Sequence, residues 1–446
     1  MTPRLPTASE RVLNNGLRVI VAHDGSLPLV TAQMTIKGGA AADPAGKAGL
    51  ADFTASLLNQ GAGSRSAEQV ARDIEALGAQ LSADAGWDGA RIDLEALTAK
   101  LPQSMAIFAD VVRRPTFADE ELERLRARTL DSLEVTLQQP GELARFAAAD
   151  AVFAGTPYGH VLNGTPASIK RFARADVTGF HQTWYRPDNA VLVLTGDITP
   201  DQGFALAERA FGDWRKPSAP LPQVKVAAPQ AKPRVIVIDL PGTGQAAVEL
   251  YIPAIARSDP RYYQAMVANA VLGGGYSARL NEEVRVKRGL SYGASAVLDA
   301  RRGVGPIAAQ AQTKNESAVE VADLMLQQVA GLKSDPPKAD EMTARKATLT
   351  GGFGRSVASN DGLASYLSGL ANQGVDLGEI NRYAPSVEAV GAAQVEAMAA
   401  QIFDPSRATL VVAGDAKAFG AQLKAKYPQA EIIPADQLNL DSPTLR

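Results

Sequence analysis

The chain has 446 residues, more than one hydrophobic core usually organises, so two or more domains are expected. Its formal net charge of −3 is too small to favour an electrostatic grip on nucleic acid or anionic lipid, and the absence of cysteine excludes disulfides, thiolate metal sites and a cysteine nucleophile. With 46% hydrophobic and 21% charged residues, the composition is that of an ordinary globular protein.

The compartment is left open by the sequence. A protein without disulfides can reside in the cytoplasm or in the periplasm. The amino terminus has no apolar signal region, but the sequence does not reveal whether a signal peptide was removed. No segment is apolar for the length that a bilayer requires, so we predict a chain with no membrane span and no nucleic-acid partner.

Periodicity predicts a mixed pattern of strands and helices. Alternation of apolar and polar residues predicts strands at 28–37 and 246–252. Helical spacing predicts helices at 65–77, 102–113, 117–137 and 317–333. Because several helices follow one another without an intervening strand, we predict an α+β fold with mainly antiparallel sheets.

An internal repeat organises the chain. Three pairs of segments match, namely 18–21 with 234–237 (RVIV in both) and 32–36 with 248–252, each 216 positions apart, and 191–197 with 409–415, 218 positions apart. The matching segments follow the same order in the two halves and span most of each half, which favours duplicated domains. The proline-rich segment 216–233 resembles an extended linker. We therefore predict two homologous α/β-layered domains, residues 1–215 and residues 234–446.

Residues 49–61 predict a short helix in the first half. Leu50, Phe53 and Leu57 form one apolar stripe, and Gly61 ends the helix. In the second half, the glycine run 273–275 suits a flexible or closely approached backbone. It leads into a helix expected to be capped by Ser277 and ended by Gly289, with a strand beginning near Leu290.

Arg285 and Tyr292 stand seven positions apart in RVKRGLSYG, around the predicted end of that helix. A guanidinium and a phenol can hold a carbonyl and stabilise the oxyanion that forms from it. The alternative is structural, with Arg285 favouring a helix C-terminus and Tyr292 packing on a sheet. Lys287 and Arg288 are interpreted as solvated charges of the last helical turn.

In this order along the chain, these features resemble the pitrilysin, insulinase and mitochondrial-processing-peptidase superfamily of inverted-motif zinc peptidases. Those enzymes carry His-x-x-Glu-His on the first helix, because two imidazoles four residues apart share one helix face. The matching positions here are Asp52, Ala55 and Ser56, and the third ligand position falls at Ser132. Such residues cannot make a catalytic zinc site, so we predict no metal in this chain.

The three histidines offer no substitute for the missing motif. His23, His160 and His181 lie too far apart in sequence to form a recognised ligand pair, and each is interpreted as a surface or packing imidazole. This count disfavours a stand-alone peptidase with another metal arrangement.

The resemblance implies a function that depends on a partner. Arg285 and Tyr292 match the superfamily motif that faces the zinc site from the second domain. The chain is therefore expected to be the zinc-less subunit of a periplasmic heterodimer, inactive alone, which binds peptide and completes the active site of a zinc-bearing homologous subunit. The alternative is a non-proteolytic structural or peptide-binding core subunit of the same superfamily, and the cytoplasm is the alternative compartment.

Overall fold

The computed structural model describes residues 6–230 and 232–446. Twelve strands are present in this part of the chain: β1 Ala8–Val12, β2 Arg18–His23, β3 Leu29–Ile36, β4 Gln80–Ala85, β5 Ala90–Leu97, β6 Ala190–Gly196, β7 Val235–Asp239, β8 Ala246–Pro253, β9 Ser291–Leu298, β10 Pro306–Thr313, β11 Thr409–Gly414 and β12 Glu431–Pro434. They form two six-stranded sheets.

Helices surround both sheets. In the described part they are α1 Leu50–Leu57, α2 Ala67–Ala76, α3 Leu101–Arg113, α4 Asp119–Thr136, α5 Pro140–Phe153, α6 Pro166–Lys170, α7 Arg174–Trp184, α8 Pro200–Phe211, α9 Tyr262–Gly273, α10 Arg279–Asn281, α11 Ala318–Ser334, α12 Ala339–Ser356, α13 Asn360–Gln373, α14 Glu379–Glu388, α15 Ala392–Gln401 and α16 Ala416–Lys426. A π-helical segment, Glu282–Lys287, continues α10. Short 3-10 turns occupy Ala40–Ala42, Thr98–Lys100, Pro187–Asn189, Asn315–Ser317, Pro405–Arg407 and Ala435–Gln437.

The first compact unit comprises Met1–Asp131, Leu162–Lys225 and Phe353–Arg382. Its sheet has the order β1-β2-β6-β3-β5-β4, and every neighbouring pair is antiparallel except β2 with β6. α13 packs on β3 and β6, whereas α1 packs on β4 and α7. β6 is buried along its whole length, as expected for a central strand covered on both faces.

The second compact unit comprises Ser132–Val161, Val226–Gly352 and Tyr383–Arg446. Its sheet has the order β12-β7-β11-β8-β10-β9. The first two pairs are parallel and the other three are antiparallel. α5 packs on β8 and β11, as α13 does on the equivalent strands of the first unit, and α9 packs on β9.

The predicted α+β class with mainly antiparallel sheets is confirmed. The helices predicted at 65–77 and 317–333 are present as α2 and α11, and the strand predicted at 28–37 is β3. Each compact unit also includes a segment from the other half of the sequence. The homologous-domain boundaries 1–215 and 234–446 stay a prediction.

The helix before Arg285 differs from the one predicted. It begins at Arg279, and its N-cap residue is Ala278 without a side-chain cap. The Ser277 hydroxyl, predicted to cap the helix, accepts a hydrogen bond from Arg345 Nη2 at 2.5 Å. After Asn281 the helix widens into the π form over Glu282–Lys287, which the sequence did not predict.

Among the described residues, no helix is both long and apolar enough to cross a bilayer.

Candidate functional site

The chain enters α1 through a tight turn that a buried carboxylate closes. Asp43 accepts hydrogen bonds from the backbone N–H groups of Gly49 at 2.7 Å and Ala51 at 2.8 Å. Burial raises the pKa of Asp43 well above its usual range, and these two hydrogen bonds oppose the rise. Gly49 has φ +87°, and a Cβ placed there would lie 2.5 Å from the backbone nitrogen of Gly164.

The positions that match the metal motif lie on α1 but do not form a zinc-ligand set. Asp52 accepts hydrogen bonds from Asn163 Nδ2 at 2.9 Å and from the Ala85 N–H at 3.3 Å. Burial raises its pKa, and the Asn163 bond opposes this. Ala55 is buried and Ser56 half-buried, so the helix offers one carboxylate and one hydroxyl where a catalytic zinc requires three strong donors.

Ser132, the predicted third position, is exposed on α4 and belongs to the second compact unit. Its carbonyl accepts a hydrogen bond from Thr136 Oγ1 at 2.9 Å, the usual back-bond of a threonine inside a helix. Across the described residues, no group of three or more His, Cys, Asp or Glu side chains is arranged to hold a metal ion.

His181 has the packing role predicted for it. Its ring is stacked on Tyr185 with centroids 4.5 Å apart, and Nε2 lies 2.9 Å from the Val112 carbonyl. Burial lowers the pKa of His181 to about 4. The imidazole is therefore neutral at neutral pH and makes its hydrogen bond inside the core.

A cavity of about 590 Å³ opens on the sheet of the second unit. Its walls come from β8, β9, β10, the loop after α9, the π-helical segment and the start of α5. Arg285 and Tyr292, the predicted catalytic pair, both line it. Its volume is in the range of pockets that bind small molecules or a few residues of a peptide.

The π-helical segment places Arg285 at the cavity. The guanidinium carbon lies 4.9 Å from the centroid of the Tyr276 ring, a cation–π contact. The helix then closes through Gly289, at φ +63°, whose N–H donates to the Arg285 carbonyl at 2.9 Å. Leu290 N–H donates to the Val284 carbonyl at 2.9 Å, which completes a C-terminal cap.

Asn281 ties the helix to strand β9. Its Nδ2 donates to the Tyr276 carbonyl at 2.6 Å, and its Oδ1 accepts from the Ala294 N–H at 3.2 Å. The glycine run is closely approached, as predicted, because a Cβ on Gly273 would lie 2.2 Å from the nitrogen of Ala296. Tyr292, near the start of β9, is 92% exposed, so its phenol is available to a ligand.

Arg285 has no ion-pair partner among the described residues. Glu283 forms ion pairs with Lys287 at 3.1 Å and with Arg288 at 2.9 Å, so its carboxylate pairs with these two cations and not with Arg285. In the described chain, no carboxylate lies within ion-pair distance of Arg285. An unpaired guanidinium and an exposed phenol on one cavity can bind the oxygen of a peptide carbonyl.

Sequence reasoning missed one group in the cavity. Glu249, in the middle of β8, is 3% exposed and lines the cavity wall. Burial raises the pKa of Glu249 to about 8, and the opposing effect of Arg145 is smaller. The internal repeat could have revealed it. The repeat aligns Glu249 with Gln33 of the first half, so a charged residue replaces an uncharged one at this position of the strand.

Comparison with known proteins gives two family matches. Residues 18–165 match the model described as "Insulinase (Peptidase family M16)". Residues 171–349 match the model described as "Peptidase M16 inactive domain". Together the two matches span most of both halves of the chain.

Individual relatives cover nearly the whole length. An uncharacterized zinc protease of Mycobacterium leprae is 24% identical over 428 residues, 95% of this chain and 92% of the relative. The crystal structure of a peptidase M16 inactive domain from Pseudomonas fluorescens is 27% identical with a TM-score of 0.85, covering 92% of this chain and 98% of that one. A protease from Helicobacter pylori has a TM-score of 0.86 at 20% identity, covering 92% of this chain and all of that one, and shows the same fold.

Proposed function

The chain belongs to peptidase family M16, and on that basis we propose that it is the zinc-less subunit of a heteromeric zinc metalloendopeptidase. In this proposal the second-unit cavity binds peptide. Arg285 and Tyr292 hold the carbonyl of a substrate whose hydrolysis takes place at the zinc of a homologous partner subunit. The isolated chain is inactive.

One contrast carries the proposal. The three positions of the metal motif on α1 lack the ligands that zinc needs, and Asp52 is already engaged by Asn163 and Ala85. The Arg285 and Tyr292 side chains, in comparison, line an open cavity and have no carboxylate or hydrogen-bond partner among the described residues. A subunit that acts on substrate bound at a partner's zinc needs the Arg285 and Tyr292 side chains but needs no zinc ligands of its own.

The compartment belongs to the same proposal. We propose a periplasmic location, which the resemblance to bacterial members of the superfamily suggested from the sequence. Fractionation of cells that produce the tagged protein tests this location. Recovery in the cytoplasmic fraction would contradict it and would place the partner subunit in the cytoplasm as well.

Reconstitution tests the proposed function. The chain and a zinc-bearing family member from the same host are purified and assayed with a fluorogenic peptide, separately and mixed. Endopeptidase activity is expected only, or far more strongly, in the mixture. Asp52→Asn in this chain serves as the matched control. It should leave the activity of the mixture unchanged, because Asp52 holds no metal in the proposed complex.

Two results would contradict the proposal. Stoichiometric zinc in the pure chain, together with activity of the chain alone, would make it an independent peptidase. A stable complex that cleaves no peptide would instead favour the non-proteolytic core subunit.

A further inference from the structure

Glu249 occupies an unusual place in the cavity. It lies in the middle of β8, with Gln310 of β10 opposite on one side and Val411 of β11 on the other. Gln310 pairs in turn with Ser295 of β9. Glu249, Gln310 and Ser295 therefore form one polar row across three strands, and all three line the cavity.

Solvent exposure differs along this polar row, and Glu249 is its buried end. Gln310 is exposed and Ser295 half-exposed, whereas Glu249 is 3% exposed beneath the start of α5. Gly141, the second residue of α5, also lines the cavity. A ligand that enters over Ser295 and Gln310 would thus meet a carboxyl group at the buried end of the row.

The repeat supplies an internal comparison. Gln33 holds the position in β3 that Glu249 holds in β8, and it lies opposite Asp93 and Val193. Its Nε2 donates to Asp93 Oδ1 at 2.6 Å and to Ser365 Oγ at 3.3 Å. Ser368 of α13 donates to its Oε1. In the first unit the buried polar group is therefore fully satisfied by the protein.

Glu249 has no equivalent partners. Within the described chain its carboxyl group makes no hydrogen bond. The nearest charges on α5 are Arg145 and Glu142, and these two form an ion pair with each other. A buried carboxylate without a partner is costly, so such a group stays neutral unless an opposite charge pairs with it.

We propose that Glu249 is a specificity-determining residue that receives a cationic nitrogen of the bound peptide, either a Lys or Arg side chain or the amino-terminal ammonium. This inference rests on the proposed peptide-binding function of the cavity. It adds a preference for basic substrates. Arg285 at the cavity wall would hold a carbonyl oxygen, while Glu249 at the closed end would bind the positive group.

Binding of a cation should release a proton. Because burial holds the pKa of Glu249 near 8, the free carboxyl is mostly protonated at neutral pH, and it must ionise to pair with the ligand. Arg145 and Glu142 on α5 and Tyr251 on β8 are the titratable groups that interact electrostatically with it. Affinity for a basic peptide should then rise by about tenfold from pH 6 to pH 7.

The experiment uses the full chain and isothermal titration calorimetry. The probes are a capped peptide with one Lys, the same capped peptide with Met in its place, and the Met peptide with a free amino terminus. Titration in buffers of different ionisation enthalpy measures proton release. We expect the Lys peptide or the free-terminus peptide to bind more tightly than the capped Met peptide and to release a proton, and the stronger of the two identifies the source of the cation.

Variants assign the effect to one residue. Glu249→Gln, which introduces the residue found at the equivalent position 33, should bind all three peptides alike without proton release. Glu396→Gln, an exposed acid on α15, is the matched control and should behave as the unmodified chain does. Because proton release is measured on the unmodified chain, the test remains decisive even if Glu249→Gln folds poorly.

The outcomes separate the two proposals. If peptides bind without charge preference or proton release, the role of Glu249 is wrong while peptide binding stands. If the preference persists in Glu249→Gln, another acid is responsible and the inference is overturned. If no peptide binds in the cavity, both proposals fail.

Discussion

His181 is a neutral histidine inside the first unit, held by the Val112 carbonyl and the Tyr185 ring. Its pKa is lowered from 6.5 to about 4 on folding. Between those values the unfolded chain binds more protons than the folded one, so acidification lowers the free energy of unfolding by at most about 1.4 kcal/mol per pH unit from this group. Its stabilising contribution is therefore complete above pH 6.5 and is lost towards pH 4.

Replacement of His181 should flatten that dependence. We expect His181→Gln to lose less stability than the unmodified chain between pH 6.5 and 4.5, measured by chemical denaturation at each pH. The difference between variants is the quantity to measure, because Asp150, whose pKa burial raises to about 7, changes stability in the opposite direction. Exposed His23→Gln is the control. Equal slopes for His181→Gln and the unmodified chain would show that His181 is not the group responsible.

At the residue scale, the sequence predicted that Arg285 and Tyr292 share one site, but it did not predict what surrounds them. The spacing of Arg285 and Tyr292 pointed to one site, and both residues line one cavity. The Tyr276 ring under Arg285 could not be foreseen, because it depends on how the loop after α9 folds back. Glu249 was missed because alternation along a strand predicts which side chains point inward and says nothing of their partners.

At the scale of one element, α1 depends on the glycine that precedes it. Gly46 and Gly49 both have φ near +80°, but only Gly49 is crowded, with the Gly164 backbone 2.5 Å from the place of a Cβ. Gly46 has nothing within 4 Å of that place. Comparing substitutions at Gly46 and Gly49 therefore distinguishes the cost of backbone strain from the cost of steric contact.

This pair gives a matched test of the α1 entry. Gly46→Ala should cost about 1 kcal/mol of stability, from the left-handed backbone alone. Gly49→Ala should cost roughly 1 to 3 kcal/mol more, because the turn closed by Asp43 must open. Thermal and chemical denaturation measure both. Equal losses would show that the contact with residue 164 is relieved without strain.

The sequence predicted the positions of elements with strong periodicity, but it did not predict the helix type or the sheet against which each helix packs. The apolar spacing of α2 and α11 specified helices of nearly the observed length. The same spacing could not distinguish an α-helix from the π-helical turn that carries Arg285. Nor could it assign α13 to the first sheet, because an amphipathic pattern specifies that a face is buried and not which sheet buries it.

At the scale of the whole molecule, the two compact units do not follow chain order. Leu363, Ala364 and Leu367 of α13 are buried with Ile20 and Val193 in the core of the first unit. The segment Ser132–Val161, from the first half of the chain, belongs to the second unit. Each unit therefore needs residues from both halves of the sequence.

Separate halves should consequently fail to fold. Residues 1–215 alone lack α13, so the apolar surface of β2 and β6 that α13 covers would be exposed to water. We expect residues 1–215 and 234–446, expressed singly, to show no cooperative melting transition. The full chain, cleaved at a protease site inserted in the predicted linker 216–233, should keep its transition. Cooperative melting of residues 1–215 at the temperature of the full chain would contradict this expectation.

The central claim is that this chain supplies Tyr292 to an active site whose zinc belongs to another subunit. Its most direct test is the turnover number of the reconstituted complex with Tyr292→Phe, with complex formation measured in parallel by size-exclusion chromatography. Tyr427→Phe, outside the cavity, is the control for loss of a phenol. Loss of one oxyanion donor predicts a fall in turnover of about 100-fold with the complex intact. Unchanged turnover by the Tyr292→Phe complex would contradict the account.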